Sequence, residues 1–350
     1  MNVVRFDYWL DPAFDRIVSA VSGLRLATCA REGADDAAWA ALADADVYQI
    51  TAAKDEIPRH WFATADLLAR CPRLLAVSTS GSGCDTVDIG ACTEAGVMVL
   101  NQAGGNGDSV AEMAIALMLS VLRRIPESDR AMRERRGMSR EDLMGHELRG
   151  RTLGIVGVGE AGRRVAHIAR AFGMEVLGHD PLRSADDVRA RGAEPVDFQT
   201  LLQRSHIVSL HCPRDASTLG LMNAAAFAAM PAGAIFVSTA RGGIHDEAAL
   251  HAALQSGHIA GAGLDVWDQE PPPLEHPLLT LPQVVATFHT AGVTHEGRRN
   301  NATLAATQIV ELLAHGHRPP RLVNPEVWPR ARERLQQALA GRSAEAMRMA

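Results

Sequence analysis

Short apolar runs alternate with stretches of helical spacing along most of the chain, the rhythm of strands that pair in parallel through helical crossovers. RLLAVS (73–78) has the run of a buried strand and leads into the glycine-rich STSGSG (78–83). DIGACTEAG (88–96) then reads as a short helix, VMVL (97–100) as a second strand, and NQAGGNGD (101–108) as a turn cluster. SVAEMAIALMLSVLRR (109–124) is a strongly apolar helix, with Ser109 and Glu112 spaced as a capping box at its start. From Thr152 onward six strand candidates follow: TLGIVG, EVLGHD, HIVSLHC, AIFVSTA, IAGAGLDV and QVVATFH. EGRRNNATLAATQIVELLAHG (296–316) places apolar residues at 305, 309, 312 and 313, a helical spacing. The charged RARERLQQALAGRS (330–343) reads as a surface helix. These patterns predict an α/β protein, without internal repeats or low-complexity segments.

Segment 126–150 breaks the rhythm. Twelve of its twenty-five residues are charged, which predicts a solvated helix followed by an arm; a contact with a second subunit is the other reading.

Composition narrows the function classes. The 350 residues suffice for two domains, and 47% hydrophobic with 22% charged residues is ordinary for a soluble globular protein. A net charge of −6, without a basic stripe, gives no reason to expect nucleic acid or an anionic membrane. The longest apolar stretch falls short of the ~20 residues a membrane span needs, and the charged N-terminus does not resemble a signal peptide. Five cysteines without a CxxC pair suggest neither disulfides nor a metal site, and fit reduced thiols in a cytoplasm.

The first chemical motif is TLGIVGVGEAGRRVAHIARAFGMEVLGHD (152–180). It carries G-x-G-x-x-G at Gly157, Gly159 and Gly162, with Glu160 and Ala161 at the head of an amphipathic helix. A strand precedes it, and a second strand ends in Asp180, eighteen residues past the third glycine. That context is a dinucleotide-binding fingerprint. Gly157 allows the tight turn, Gly159 lets backbone approach a pyrophosphate, and Gly162 lets the helix pack close, its N-terminus facing the diphosphate charge. Asp180 would accept from the ribose hydroxyls and repel a 2′-phosphate, so NAD is favoured over NADP; Arg183 keeps NADP as the alternative.

Three residues beyond the fingerprint stand just after strand-like runs, where open α/β sheets bind ligands. Arg241 follows FVSTA, Glu270 lies in WDQEPP after GAGLDV, and His289 ends VVATFH. A guanidinium fork suits a substrate carboxylate or the carbonyl beside it. An imidazole suits proton transfer to or from a hydroxyl, and a carboxylate touching it would orient it and favour its charged form.

STARGGIHD, LDVWDQEPPP and FHTAG, with 29 residues from Arg241 to Glu270 and 19 more to His289, resemble the D-isomer-specific 2-hydroxyacid dehydrogenase family. SGSGCDTVD (80–88), NQAGGNGDSVAE (101–112), ELRGRTLGIVGVGEAG (147–162), LHCP (210–213) and LVNPEVW (322–328) extend the likeness over nearly the whole chain. The resemblance implies that Arg241, Glu270 and His289 are the catalytic set of an NAD-dependent enzyme interconverting a D-2-hydroxy acid and its 2-keto acid. It implies two Rossmann-like or flavodoxin-like domains with parallel sheets and an active site in the cleft between them. One, discontinuous (1–101 plus 293–350), would bind substrate, with backbone N–H groups of Gly81, Ser82 and Gly83 on its carboxylate; the other (102–292) would bind NAD. By the same carry-over Cys212, Pro213, Thr239, Ala240, Asp265 and Gly292 line the nicotinamide, and Ser109 either reaches the cofactor or only caps its helix. A homodimer is implied as well. Two positions depart from the family pattern: Met113 follows SVAE where His or Thr is usual, and Phe288 precedes His289 where proline is usual.

The acid itself is open. A phosphorylated substrate such as 3-phosphohydroxypyruvate would want extra cations, and YQITAAKDE (48–56) offers only Lys54, so an unphosphorylated acid is expected and D-3-phosphoglycerate dehydrogenase is the alternative. A more distant alternative is an NAD-sensing binding protein, since corepressors resembling this family keep the same three residues. An S-adenosylhomocysteine-hydrolase-like enzyme lacks its cysteine and lysine motifs here.

Overall fold

A computed structural model describes residues 1–33 and 35–349, with side chains up to residue 340. The chain divides into two compact units, Met1–Asn106 with His295–Ala350, and Gly107–Thr294.

The first unit holds a five-stranded sheet in the order β2-β1-β3-β4-β5. Its strands are β1 (Asn2–Phe6), β2 (Arg25–Cys29), β3 (Val47–Ile50), β4 (Ala76–Thr79) and β5 (Met98–Leu100), all paired in parallel. Side chains of β3, β4 and β5 are buried throughout, as expected where helices cover both faces. One face packs on Trp61, Phe6 and Tyr48, whose rings meet at 4.6–5.9 Å. The other packs on Ala302, Ala305, Ile309, Leu312 and Leu313 of the helix His295–His315, the apolar stripe read from spacing. The C-terminal helix Trp328–Met349 is not purely a surface element: Ala331 and Leu335 are buried, and Arg334 donates to the carbonyl oxygens of Pro72, Leu74, Ala95 and Gly96. Its charges do not mark it as wholly solvated, because a guanidinium that satisfies chain-end carbonyls can lie against the core with its stem packed on apolar groups.

The second unit holds a seven-stranded parallel sheet, β12-β11-β10-β9-β6-β7-β8. Its strands are β6 (Thr152–Val156), β7 (Glu175–His179), β8 (Glu194–Pro195), β9 (Ile207–Leu210), β10 (Ala234–Ser238), β11 (Ile259–Leu264) and β12 (Val284–Ala286). Strand order reverses between β6 and β9, and a doubly wound sheet binds its ligand at such a switch point. The helix Gly107–Leu122 lies directly over β11: a Cβ on Gly263 would stand 2.8 Å from Leu117 Cβ, and one on Gly261 would stand 2.6 Å from Val121 Cγ1. This helix starts two residues before Ser109, so Ser109 sits in its first turn, and its hydroxyl is bonded to Thr294 Oγ1 at 2.8 Å. The expected capping box is therefore not formed. The charged segment folds as a helix, Ile125–Glu134, and a 3-10 turn, Glu141–Leu143, both largely exposed. No helix among the described residues is long and apolar enough to cross a membrane.

Candidate active site

The fingerprint turn leaves β6 at Val156. Gly157 has φ 92°, and a Cβ there would lie 2.6 Å from Cys212 N, so only glycine fits between the ends of β6 and β9. A Cβ on Gly162 would meet Gly157 O at 2.1 Å, which is how closely the helix Glu160–Ala171 packs on the turn. Nothing lies within 4 Å of a Cβ placed on Gly159, which leaves an open approach to the backbone at the helix N-terminus. Glu160 and Ala161 open that helix. At the end of β7, Asp180 accepts from Val158 N (2.9 Å) and Leu182 N (3.1 Å), which fixes its carboxylate beside the turn with 11% of the side chain accessible. A cradle of backbone closed to side chains, a bare helix N-terminus and a fixed acceptor together fit a dinucleotide.

A histidine–glutamate pair stands at the ends of β11 and β12. His289 Nδ1–H donates to Glu270 Oε2 at 2.8 Å, leaving Nε2 for a substrate. Burial pushes the Glu270 carboxyl up, but the His289 hydrogen bond and charge, the Trp267 N–H and the Arg241 guanidinium outweigh it, so its pKa lies below the ordinary value. Accepting from Nδ1–H, the carboxylate orients the imidazole and fixes its tautomer. Arg241 leaves the end of β10 with its Nη1 on Ala240 O at 2.7 Å, and it is close enough to act on the charge of Glu270. Arg241, Glu270 and His289 are thus brought together from the ends of three neighbouring strands.

The supporting residues lie one step back. Asp265, fully buried, accepts from Thr287 Oγ1 (2.6 Å), Thr290 N (2.8 Å) and Ala291 N (2.8 Å). These bonds close the turn that holds His289 at φ 52°, a left-handed backbone that a non-glycine residue adopts at a cost of about 1–3 kcal/mol. Trp267 bridges the two halves of the pair, N–H to Glu270 Oε1 (3.1 Å) and Nε1–H to Thr287 O (3.1 Å). A Cβ on Gly242 would stand 1.9 Å from Trp267 O, so the Arg241 turn lies flat on the Glu270 turn, and Asp268 Oδ1 ties them by accepting from Gly243 N (2.6 Å).

Cys212 adjoins Gly157, and Thr239 and Ala240 are buried at the end of β10; Pro213 and Gly292 are in the turns after β9 and β12. His211 lies within LHCP but is assigned no role from the sequence: its ring bridges Ser209 Oγ (2.8 Å) and Thr239 Oγ1 (3.4 Å), and burial pushes its pKa down to about 4. Trp267 and Asp268 lie within the WDQEPP motif, but their bracing roles depend on which loops meet. The departure at 288 leaves Phe288 79% exposed. In the first unit, Gly81, Ser82 and Gly83 form the loop after β4, held by Gln102 N and Thr79 Oγ1 on Gly81 O and by Asn101 Nδ2 on Ser82 O. Among the described residues no cluster of metal-ligating side chains occurs.

Fold and fingerprint define a protein of the dinucleotide-binding, doubly wound α/β class. Residues 115–291 match the family model described as "D-isomer specific 2-hydroxyacid dehydrogenase, NAD binding domain". The chain belongs to that family and carries its NAD-binding domain. It is 42% identical over 248 residues to a D-3-phosphoglycerate dehydrogenase of Archaeoglobus fulgidus, covering 71% of this chain and 47% of that one. The chain thus spans about half the length of the phosphoglycerate dehydrogenases it matches. A glyoxylate reductase of Korarchaeum cryptofilum is 38% identical over 266 residues, 75% of this chain and 80% of that one. The crystal structure of a glyoxylate reductase from Paecilomyes thermophila superposes with a TM-score of 0.81 at 29% identity, over 93% of this chain and 98% of that one.

Proposed function

We propose that the chain interconverts a 2-keto acid and its D-2-hydroxy acid with NAD(H), through Arg241, Glu270 and His289. The observation that carries this reading is the 2.8 Å His289–Glu270 bond beside Arg241, at the carboxyl end of a sheet whose switch point fits a dinucleotide. The bound dinucleotide supplies the hydride. Arg241 holds the acid and polarises its carbonyl, while Nε2–H of His289 donates a proton to the carbonyl oxygen as it gains negative charge. Glu270 stabilises the imidazolium before that transfer and orients the neutral ring after it. Gly157, Gly159, Glu160, Ala161, Gly162 and Asp180 hold the dinucleotide; Cys212, Pro213, Thr239, Ala240, Asp265, Gly292 and Ser109 belong to its nicotinamide side. Gly81, Ser82 and Gly83 bind the acid's carboxylate through backbone N–H groups. The substrate-binding role falls to 1–101 with 293–350 and the cofactor-binding role to 102–292, in a cytoplasmic homodimer.

The substrate is an unphosphorylated acid, and the names of the relatives make glyoxylate and 3-phosphohydroxypyruvate the two acids to compare first. The test is NADH oxidation over glyoxylate, pyruvate, hydroxypyruvate, phenylpyruvate and 3-phosphohydroxypyruvate, repeated with NADPH. Saturable oxidation with an unphosphorylated acid and preference for NADH are expected, and Arg241→Ala raises KM as well as lowering kcat. Preference for the phosphorylated acid would install phosphoglycerate dehydrogenase instead. Binding of NADH without turnover of any acid would favour a sensing protein.

A further inference from the structure

Around the fingerprint, carboxylates and guanidiniums alternate in one continuous chain. Asp108 Oδ1 meets Arg164 Nε at 2.6 Å, and Arg164 Nη1 meets Glu160 Oε2 at 3.0 Å. Glu160 also pairs with Arg163 (2.8 Å) and with Arg191 (3.6 Å). Arg191 Nε continues to Asp187 Oδ1 (2.9 Å), Asp187 Oδ2 to Arg183 Nη1 (2.6 Å), and Arg183 Nε to Asp180 Oδ2 (3.3 Å). The chain runs from the N-terminus of the helix Glu160–Ala171, where a pyrophosphate is stabilised, to the carboxylate that would take the adenosine ribose. It contains four carboxylates (Asp108, Glu160, Asp180, Asp187) and four guanidiniums (Arg163, Arg164, Arg183, Arg191), so its net charge is zero.

Asp180 alone does not explain a preference for NAD. Its charge is opposed by Arg183 at 3.3 Å, and a guanidinium there is what a 2′-phosphate would seek. The fate of that guanidinium is decided by Asp187, which grips Arg183 with one oxygen and Arg191 with the other. Building on the dinucleotide site proposed above, we infer that Asp187 is a specificity-determining residue: by occupying Arg183 and Arg191 it withholds both from a 2′-phosphate and thereby selects NAD over NADP. A 2′-phosphate adds about two negative charges. With Asp187 in place it meets two carboxylates and two arginines already paired. Without Asp187 the chain is left with one net positive charge: Arg183 keeps Asp180 at 3.3 Å, and Arg191 keeps the longer contacts to Glu160 (3.6 Å) and Gly159 O (3.5 Å). A ribose with a free 2′-hydroxyl carries no charge and gains little from the same change.

Equilibrium titration of the full-length protein with NADH and with NADPH, followed by nucleotide fluorescence, tests this in wild type, Asp187→Ala and Asp187→Asn. Asp187→Ala is expected to lower the Kd for NADPH by about tenfold while NADH stays within about threefold, the scale of one or two charge-assisted hydrogen bonds to phosphate. Asp187→Asn, which keeps the helix-start geometry, shifts the ratio in the same direction by less, and added salt shrinks both shifts. Asp186→Ala is the control: that neighbouring carboxylate is 95% exposed and pairs with Arg189, outside the chain. If wild type binds NADH and both Asp187 variants keep the NADPH-to-NADH ratio within twofold, the inference is wrong. It is equally wrong if the affinities for the two nucleotides shift by the same factor. Failure of wild type to bind NADH would instead overturn the dinucleotide site itself.

Discussion

His245 is 1% exposed, packs with its ring centroid 5.4 Å from that of Phe236, and has no hydrogen-bond partner among the described residues on either ring nitrogen. Burial pushes its pKa down to about 4, against a smaller upward pull from Glu247 and Asp246. The folded protein therefore keeps this imidazole neutral while the unfolded chain protonates it below pH ~6.5. Between those values the unfolded state binds more protons, so stability is full above pH ~6.5 and is lost as pH falls toward 4. The loss amounts to about 2 kcal/mol between pH 7 and pH 5. Urea unfolding at the two pH values measures it, and His245→Leu is expected to remove most of that dependence; an unchanged dependence in the variant would place the proton elsewhere. At this scale the sequence is uneven. Arg241, Glu270 and His289 are legible because their spacing and residue types suit one reaction. His245, four residues from Arg241, shows no role there because an orphaned buried imidazole is visible only once its neighbours are known.

The element that decides the geometry of the pair is the turn 287–291, and it is built on Asp265. Removing that carboxylate leaves Thr287 Oγ1, Thr290 N and Ala291 N without the acceptor that closes the turn and keeps His289 at φ 52°. Asp265→Ala is expected to lower kcat about a hundredfold through a displaced imidazole, and to lower stability by about 2–3 kcal/mol through unpaired buried donors. Steady-state kinetics and denaturant midpoints report the two effects; a loss of stability with kcat retained would assign Asp265 a structural role alone. β10 and β11, which end at the site, are readable because apolar runs of this length are the signature of strands buried on both faces, whereas β12 is a partly exposed edge strand. β2 carries no comparable signal: it is an edge strand whose positions are all intermediate or exposed, without a solid apolar run. The capping box fails because local spacing cannot show where a turn first delivers the chain into helix. The C-terminal helix is more buried than its charges suggest because arginine serves buried carbonyls as readily as water.

Across the whole molecule, both sheets are wholly parallel, and each places its loops of interest at strand carboxyl ends. The alternation of strand and helix along the chain implies that architecture, and the family match and the superposed glyoxylate reductase agree with it. The proposed reaction rests on one arrangement: an arginine, a glutamate and a histidine from three adjacent strand ends of the sheet that carries the glycine turn. The acid it accepts does not follow from that arrangement, because every 2-keto acid presents the same carboxylate and carbonyl to it. In the proposed reaction His289 delivers the proton. The most direct measurement is kcat for NADH-dependent reduction of the best 2-keto acid by His289→Ala, alongside the Kd for NADH. A fall in kcat of at least about a hundredfold with NADH affinity unchanged is the predicted result. Turnover within about threefold of wild type would contradict it.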